Sequence, residues 1–581
     1  MTFIYTVTAA DWGRIAPELV LTGMALLILM ADLLMPQPGK NSQESRPTNF
    51  LILPLLALLG LAGAFAATIV LFLAGDQQSA FNQMIGSDFG SLYAYIIILS
   101  ASALGIMLSP AYLKRLNLVH QGEYYALMLL ATIGMMLMAA ATSFLTVFLG
   151  LEMLSLALYI LCSFVAQRKT SQEAGMKYFL LSSFASAFLL YGIALIYGAT
   201  GSTSFAGISA FLFNKVRPFI HPGLIIPPDT PSLLDNTRLS VHSPTLLLVG
   251  MGLLTVGFAF KVSAVPFQAW TPDVYDGAPA PVTAFMSVGT KAAALIAFAR
   301  VFDVVLPSAK GDWEPIIWAI TILTIVGGNI LALVQGNVKR LLAYSSIAHA
   351  GYLLIGVVVG GIFGLSAILF YLLCYTFLNL GAFGIVSLLE RADNSGNDYS
   401  DIRGLSYRQP VLAGLLAFFM LALAGFPAMA GFAAKYYLFY AALLGGHPEL
   451  LIIGVLASVL GMYYYLRVIA VMFMEREAVP TTVAAPPTPA LITSKKAPTK
   501  PAARLSSKGT AVAVKRPALA QTKTTAVIEK PTETEKERAV TGGWMTSVAL
   551  VIAAVGTLAM GTVLPFWLVD LAQKAAQMMM R

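Results

Sequence analysis

The sequence predicts an all-α integral membrane protein with about 14 transmembrane helices. Of its 581 residues, 58% are hydrophobic and only 11% are charged, whereas a soluble domain has about 25% charged residues. Apolar runs of about 20 residues, the length that spans a bilayer core, recur from residue 16 to residue 567. Water therefore cannot be the main solvent of this chain.

The apolar runs define fourteen predicted helices, which charged residues or Pro and Gly separate in most places. Their predicted limits are 16–36, 50–74, 92–110, 123–140, 142–165, 174–199, 244–265, 278–306, 315–335, 341–361, 364–390, 410–444, 449–474 and 544–567. The first helix lacks a basic n-region and a convincing cleavage site, so we interpret it as a retained transmembrane helix.

Two predicted helices are interrupted, and the interruptions are five helices apart. Pro266 breaks helix 7, and Gly425 with Pro427 breaks helix 12, because proline lacks a backbone donor and clashes with the preceding turn. Matching breaks in two halves of a chain are typical of inverted-repeat transporters with an ion site near the midplane. An ordinary proline kink is the alternative. We expect two inverted repeats with broken helices 7 and 12.

The helices group into five expected regions. These are 1–122 with helices 1–3, 123–306 as the first repeat with helices 4–8, 307–477 as the second repeat with helices 9–13, 478–540 as a basic linker, and 541–581 with helix 14 and the C-terminal tail. The linker contains eleven Lys and Arg and four Glu. Its composition favours a disordered cytoplasmic connector, and nucleic-acid binding is not expected because basic segments are usually only solvated.

Lys and Arg in the loops predict the orientation, since they favour the cytoplasmic side of a membrane. Loops that follow odd-numbered helices are basic, whereas loops that follow even-numbered helices are mostly uncharged or acidic. The exceptions are the loop 200–243 and the loop that contains Lys310. Both termini are therefore expected to lie outside.

Four charged residues within or beside predicted spans are the main candidates for proton transfer. Glu152 is in the middle of helix 5, where a charge costs about 2.5 to 3.5 kcal/mol on insertion scales and so requires a partner or a water-filled cavity. Lys261 precedes the first break, Lys291 lies midway along helix 8, and Lys435 follows the second break. Lysine suits proton transfer because its proton affinity responds to burial and to a nearby carboxylate. A static ion pair between helices would leave two of these lysines unexplained.

Two further residues are candidates for proton transfer. His349 in helix 10 suits a bridging relay because histidine exchanges protons near neutral pH, although a buried histidine bonded to a neighbouring hydroxyl is equally consistent with the sequence. Lys177, near the start of helix 6, suits proton uptake from the cytoplasm, or it snorkels to the lipid headgroups.

The sequence predicts neither a metal site nor a cofactor-binding site in this chain. Cys162 and Cys374 are far apart and lie in no CxxC or similar spacing. Of the five histidines, only His349 lies inside a predicted span, whereas a membrane haem with two histidine ligands requires a second. We therefore expect no redox centre here.

Two long segments resemble a known family. Residues 260–279 resemble the helix-seven signature, and residues 337–352 the helix-ten signature, of the antiporter-like subunits shared by complex I and by Mrp-type sodium/proton antiporters. Within this family, residues 173–192 resemble subunit N, which is called subunit 2 in mitochondria and chloroplasts. A lysine at position 435 and the lack of a long lateral helix agree with that branch.

The resemblance implies a proton-translocating subunit of NADH:quinone oxidoreductase. Glu152 and Lys261 would be the switching pair, Lys291 and His349 the central relay, and Lys435 the exit lysine. NADH, FMN, iron–sulfur clusters and quinone would be bound by other subunits.

The resemblance also implies a setting and partners. Subunits K and M would be the neighbours in a bacterial inner membrane, subunits A, J, L and H would belong to the same membrane assembly, and lipid would surround it. The alternatives are a subunit of an Mrp-type antiporter or of a membrane-bound hydrogenase, and a scaffold subunit without a proton path.

Overall fold

The computed structural model of the chain describes residues 7–35, 49–116, 118, 121–213, 244–474 and 543–580. The structural statements below refer to these ranges. The expected linker 478–540 lies outside them, as does most of the loop 200–243.

The described ranges form α-helices, numbered in chain order. They are α1 (Ala9–Arg14), α2 (Ala16–Leu34), α3 (Asn49–Ala74), α4 (Phe89–Arg115), α5 (Gln121–Ala139), α6 (Phe144–Cys162), α7 (Lys169–Thr200), α8 (Phe205–Phe211), α9 (Pro244–Val262), α10 (Trp270–Gly277), α11 (Ala280–Ala299), α12 (Lys310–Leu333), α13 (Val338–Val359), α14 (Gly361–Leu389), α15 (Tyr399–Ile402), α16 (Leu405–Arg408), α17 (Pro410–Ala424), α18 (Ala430–Leu444), α19 (Pro448–Phe473), α20 (Trp544–Thr562) and α21 (Pro565–Met579).

Shorter elements connect some of these helices. A π-helix, Arg300–Val305, continues α11, and a 3-10 turn, Pro307–Ala309, leads into α12. The strands β1 (Ser79–Ala80) and β2 (Ile85–Gly86) form an antiparallel hairpin between α3 and α4. Its two-residue strands are too short to be recognised from an alternating apolar pattern.

Thirteen helical segments of the described chain are long and apolar enough to cross a membrane, and they lie where thirteen of the fourteen spans are predicted. The remaining predicted span, 410–444, is divided into α17 and α18, with 15 residues each. At about 1.5 Å per residue, such a helix is about 22 Å long and cannot alone cross a core of about 30 Å. The all-α membrane fold with about 14 spans is therefore confirmed.

Both predicted helix breaks are present. Between α9 and α10, Ser263 has a φ of +67° and the peptide bond before Pro266 is cis. Between α17 and α18, Gly425 has a φ of +91°, which glycine adopts readily because it has no Cβ. Pro427 lies in the same break and cannot donate a backbone hydrogen bond to a continuing helix.

The C-terminal part of the chain differs from the prediction of one helix from 544 to 567. The helix α20 ends at Thr562, and a separate helix, α21, begins at Pro565, because proline suits the first turn of a helix and not its interior. One side of α21 buries Ala572, whereas Phe566 is 89% exposed.

The helices α11 and α13 are the most deeply buried of the bundle. All residues in the most apolar stretch of α11 and its π-helical extension are buried. In the most apolar stretch of α13, 94% of the residues are buried. Small residues permit the close packing: a Cβ on Gly351 of α13 would lie 2.7 Å from the backbone nitrogen of Ile325 in α12. Lys291 on α11 and His349 on α13 are buried and therefore face protein and not lipid.

Candidate functional site

Three of the four candidate lysines and the candidate histidine are buried in the helix bundle. Lys261 is in the last turn of α9, Lys291 in α11, His349 in α13 and Lys435 in α18, and none is more than 7% exposed. Glu152, in α6, is half-buried. A buried ammonium or imidazole requires hydrogen-bond partners because it has lost its water, so the partners define the site.

Lys261 is held by two hydroxyl groups. Its Nζ donates to Ser155 Oγ in α6 at 2.7 Å and to the Tyr178 hydroxyl in α7 at 3.0 Å. Within the described residues it forms no ion pair with Glu152, whose Oε1 is buried without a hydrogen-bond partner. Ser155 follows Glu152 by three residues, so both side chains lie on the same face of α6. The expected switching pair is thus close in the fold but separated in this conformation.

Trp270, which follows the break after α9, positions Tyr178, one of the two partners of Lys261. The Tyr178 ring stacks on Trp270, with 4.8 Å between centroids and 9° between planes. Trp270 is the first residue of α10, and its Nε1 donates across the break to the Phe260 carbonyl at 3.1 Å. Ser155, Tyr178 and Trp270 were not recognised from the sequence, although the spacing of Ser155 from Glu152 was a usable signal.

One face of α13 joins Lys291 to Lys435. Lys291 Nζ donates to the Ser346 carbonyl at 2.6 Å, and Lys435 Nζ lies 5.3 Å from the centroid of the Tyr352 ring, which is a cation–π distance. His349 lies between these two positions on α13. Since Ser346, His349 and Tyr352 are three residues apart, they lie on one helix face. Lys291 and His349, the two residues expected to form the central relay, therefore both lie at this face.

His349 is bonded on both ring nitrogens by tyrosine hydroxyls. Its Nδ1 lies 2.7 Å from the Tyr371 hydroxyl in α14, and its Nε2 lies 3.2 Å from the Tyr465 hydroxyl in α19. Tyr465 also hydrogen-bonds Ser345, one turn before His349. A phenol both donates and accepts, so these contacts agree with a hydroxyl-bonded histidine and with a relay.

In the described part of the chain, Lys435 is held by carbonyl groups at the helix break and not by a carboxylate. Its Nζ donates to the carbonyls of Leu423 at 3.3 Å and Ala424 at 3.2 Å, the last two residues of α17. The last four carbonyls of a helix have no partner within it, and this end has negative partial charge. The break beside Gly425 therefore creates the acceptors that a buried ammonium requires.

A second buried cluster lies where α14 ends. The Glu390 carboxylate accepts from Lys339 Nζ at 2.8 Å, from Arg168 Nη1 at 2.6 Å and from the Tyr112 hydroxyl at 2.6 Å. Lys339 also donates to the carbonyl of Ala278, directly after α10, at 2.7 Å. This Glu390 cluster joins α4, α7, α13 and α14 to the segment after the first break.

Lys177 lies apart from the buried residues. Its Nζ is 2.8 Å from Asp273 Oδ2 and 2.8 Å from Glu173 Oε1, and its side chain is 41% exposed. Arg340 Nη2 also contacts Asp273, at 3.0 Å. The expected proton-uptake residue therefore belongs to a half-exposed group of ion pairs beside α10.

The described residues contain no group of three or more His, Cys, Asp or Glu that could hold a metal ion. Cys162 and Cys374 are both buried and unpaired with each other.

A family model described as NADH:quinone oxidoreductase/Mrp antiporter, transmembrane, matches residues 141–461. That range is more than half of the 581 residues. The chain belongs to this antiporter family. The matched range contains all six candidate residues, from Glu152 to Lys435.

Curated relatives indicate the branch of the antiporter family to which this chain is similar. The NADH-quinone oxidoreductase subunit N of Trichlorobacter lovleyi is 42% identical over 461 residues, which are 79% of this chain and 87% of the relative. The subunit N of Chloroflexus aggregans is 42% identical over 478 residues, which are 82% and 91% of the two chains. Within the family, the chain is an antiporter-like subunit most similar to subunit N.

Solved structures agree with the family assignment. A chain of respiratory complex I from Thermus thermophilus, solved with bound aureothin, has a TM-score of 0.66 and 28% identity, and the match covers 95% of this chain and 98% of that one. A chain of the Mrp complex from Dietzia sp. has a TM-score of 0.71, covers 99% and 98%, and is 19% identical. The Mrp likeness shows the shared fold of the antiporter family.

Proposed function

We propose that this chain is a proton-translocating membrane-arm subunit of NADH:quinone oxidoreductase and that Glu152, Lys261, Lys291, His349 and Lys435 carry the protons. The observation that supports this path most directly is the shared face of α13, which contacts Lys291 and Lys435 at its two ends and contains His349 between them. A scaffold that only fills the membrane arm has no need for three ammonium groups in its core.

The contacts of the lysines suit stepwise transfer. Ser, Tyr and backbone carbonyl oxygens accept from all three ammonium groups, so each charge is solvated without a permanent carboxylate partner. A positive charge on one lysine disfavours a charge on the next. Protonation at one position therefore promotes release at the following one, and Glu152 supplies the only negative charge among the five residues.

The energies involved are of the required size. Moving one charge against the membrane potential costs about 2.3 kcal/mol per 100 mV. A hydrogen bond to a charged group is worth about 1.5 to 3 kcal/mol. Exchange of one or two such bonds, for example at Lys261, can therefore drive a proton step.

The proposal assigns electron transfer to other subunits. NADH, FMN, iron–sulfur clusters and quinone would be bound there, and this chain would contain no redox centre. The curated relatives are bacterial subunits of NADH-quinone oxidoreductase, which supports a bacterial inner membrane, subunits K and M as neighbours, and A, J, L and H in the same assembly. The match to an Mrp complex, at 19% identity, supports that alternative less.

The proposed arrangement in the membrane follows the basic loops. Both termini would lie outside, Lys177 would face the cytoplasm as the uptake residue, and residues 123–306 and 307–477 would be the two repeats. The matching breaks beside Lys261 and Lys435 support the two repeats. Residues 1–122 and 541–581 would flank them, with the linker 478–540 in the cytoplasm.

The variant Lys261→Ala tests the proposed path. We expect it to lower both proton pumping and NADH:quinone activity, because it removes an obligatory proton position. Both would be measured in sealed membrane vesicles after the assembled complex is verified on a native gel. Lys574→Ala is the matched control, since Lys574 is 64% exposed and, among the residues that the structure describes, pairs only with Asp570 in α21. Wild-type pumping in Lys261→Ala would favour the scaffold alternative.

A further inference from the structure

We infer that Ser155 and Tyr178 form a second position for the Lys261 ammonium, alternative to Glu152, and that Trp270 positions Tyr178 for this task. The inference rests on the proposed function, since it describes how the first charge pair of the path separates. The three residues come from α6, α7 and α10, and they surround the break that follows α9.

The Lys261 ammonium group uses only part of its hydrogen-bonding capacity in its contacts with Ser155 and Tyr178. An ammonium group has three donors, and two of them are used by the Ser155 and Tyr178 hydroxyls. Glu152 Oε1 is buried and has no hydrogen-bond partner among the residues that the structure describes. Side chains three residues apart on a helix are about 5–6 Å apart, so Ser155 and Glu152 offer neighbouring acceptors on one face of α6. Both positions are within reach of the flexible lysine side chain.

The two positions of the Lys261 ammonium differ in the charge of the acceptors that surround it. At Glu152 the ammonium is neutralised by a carboxylate, whereas at Ser155 and Tyr178 it keeps two neutral acceptors and a cation–π contact, 5.2 Å from the Tyr178 ring centroid. Moving between them separates the pair without leaving a bare ammonium in the core. Glu152 is then free to receive a proton from the preceding part of the path.

Trp270 connects this second position to the helix break. It stacks on Tyr178 and donates to the carbonyl of Phe260, the residue before Lys261. A shift of α10 relative to α9 would therefore move the Tyr178 hydroxyl together with the indole ring. Trp270 acts on Lys261 only through Tyr178 and is a positioning residue.

Ser155→Thr and Ser155→Val provide a matched test, since threonine and valine have nearly the same shape and differ by a hydroxyl. A hydrogen bond to a charged group changes an equilibrium by about tenfold or more. We expect Ser155→Val to lower coupled proton pumping by about that factor, and Ser155→Thr to recover most of the loss. Pumping and NADH:quinone activity would be measured in vesicles with complex assembly verified on native gels.

Tyr178→Phe is the second variant, because it removes the hydroxyl and keeps the ring on Trp270. We expect a loss similar to that of Ser155→Val. Tyr124→Phe is its control, since Tyr124 is also fully buried but its hydroxyl lies 3.0 Å from Ser109, away from the lysines. If Ser155→Val does not assemble, Tyr178→Phe alone decides the outcome.

The outcomes separate this inference from the proposed function. If Lys261→Ala abolishes pumping while Ser155→Val and Tyr178→Phe pump normally, the proton path stands and the second position is wrong. Equal losses in Ser155→Thr and Ser155→Val would also overturn it, since they would show a steric effect. If Lys261→Ala pumps normally, both proposals fail.

Discussion

At the scale of single residues, Glu390 shows how a buried charge depends on its partners. Burial raises the pKa of the Glu390 carboxyl, but Lys339 and Arg168 lower it by more, so the pKa lies below its ordinary value. The ionised carboxylate therefore stabilises the fold. The sequence alone does not pair Lys339 with Glu390, because the two residues are 51 positions apart along the chain.

Glu390→Gln should destabilise the protein by about 3 kcal/mol, since it leaves Lys339 and Arg168 as buried cations without a counter-charge. A group with a lowered folded-state pKa stabilises above its unfolded-state pKa, and this contribution is lost as the pH falls through the folded-state value. Thermal unfolding of the purified complex between pH 3 and pH 7 would measure both effects. The wild-type protein should lose this stability below about pH 4, and Glu390→Gln should lack that component.

The control for this prediction is Asp393→Asn. Asp393 is three residues further along the chain, accepts a hydrogen bond from the Ser395 hydroxyl at 2.6 Å and lies outside the Glu390 cluster. The Asp393→Asn variant should unfold at the same temperature as the wild type near pH 7. Equal stability of Glu390→Gln and the wild type would contradict the proposed role of the cluster.

At the scale of helices, the break between α17 and α18 holds Lys435 through the carbonyls at the end of α17. Gly425 has a φ of +91°, and a Cβ there would lie 3.3 Å from Lys435 Cδ. A residue with a side chain is strained in this backbone conformation by about 1 to 2 kcal/mol. The helix break and the position of the lysine are thus determined together.

Gly425→Ala should lower proton pumping and thermal stability together, because relief of the strain displaces either the carbonyls or the Lys435 side chain. Gly414→Ala in the same helix is the control, since a Cβ there meets nothing within 4 Å. Alanine also favours a helix interior by about 1 kcal/mol over glycine, so the control should be at least as stable as the wild type. Normal pumping by Gly425→Ala would show that Lys435 does not depend on this break.

The helices differ in how far the sequence could predict them. Long apolar runs indicated the spans, and Pro266, Gly425 and Pro427 indicated the breaks, because these signals are local. Apart from Ser155, which lies three residues after Glu152, the partners of Lys261, Lys291 and His349 were not predictable, since each lies on another helix and depends on how the helices pack. The separate helix α21 was missed although Pro565 signalled its start, because the apolar composition continues across that boundary.

At the scale of the whole molecule, the site is a series of ionisable groups and not a single centre. Glu152 and Lys261 lie near the first helix break, and Lys435 lies at the second. The face of α13 that contains His349 connects Lys435 to Lys291. Every transported proton must pass each position if the series is continuous. Groups that act as one unit show strongly non-additive losses when they are replaced together.

The double variant Lys291→Ala/Lys435→Ala should therefore pump no worse than the poorer of the two single variants. Each single replacement already interrupts the same path, so the second has nothing further to remove. Proton pumping by the four assembled complexes, wild type included, would be compared in sealed vesicles. The pair Lys291→Ala/Lys574→Ala is the control and should equal Lys291→Ala. If instead the losses in the double variant multiply, Lys291 and Lys435 contribute independently, and the face of α13 that contains His349 does not connect them.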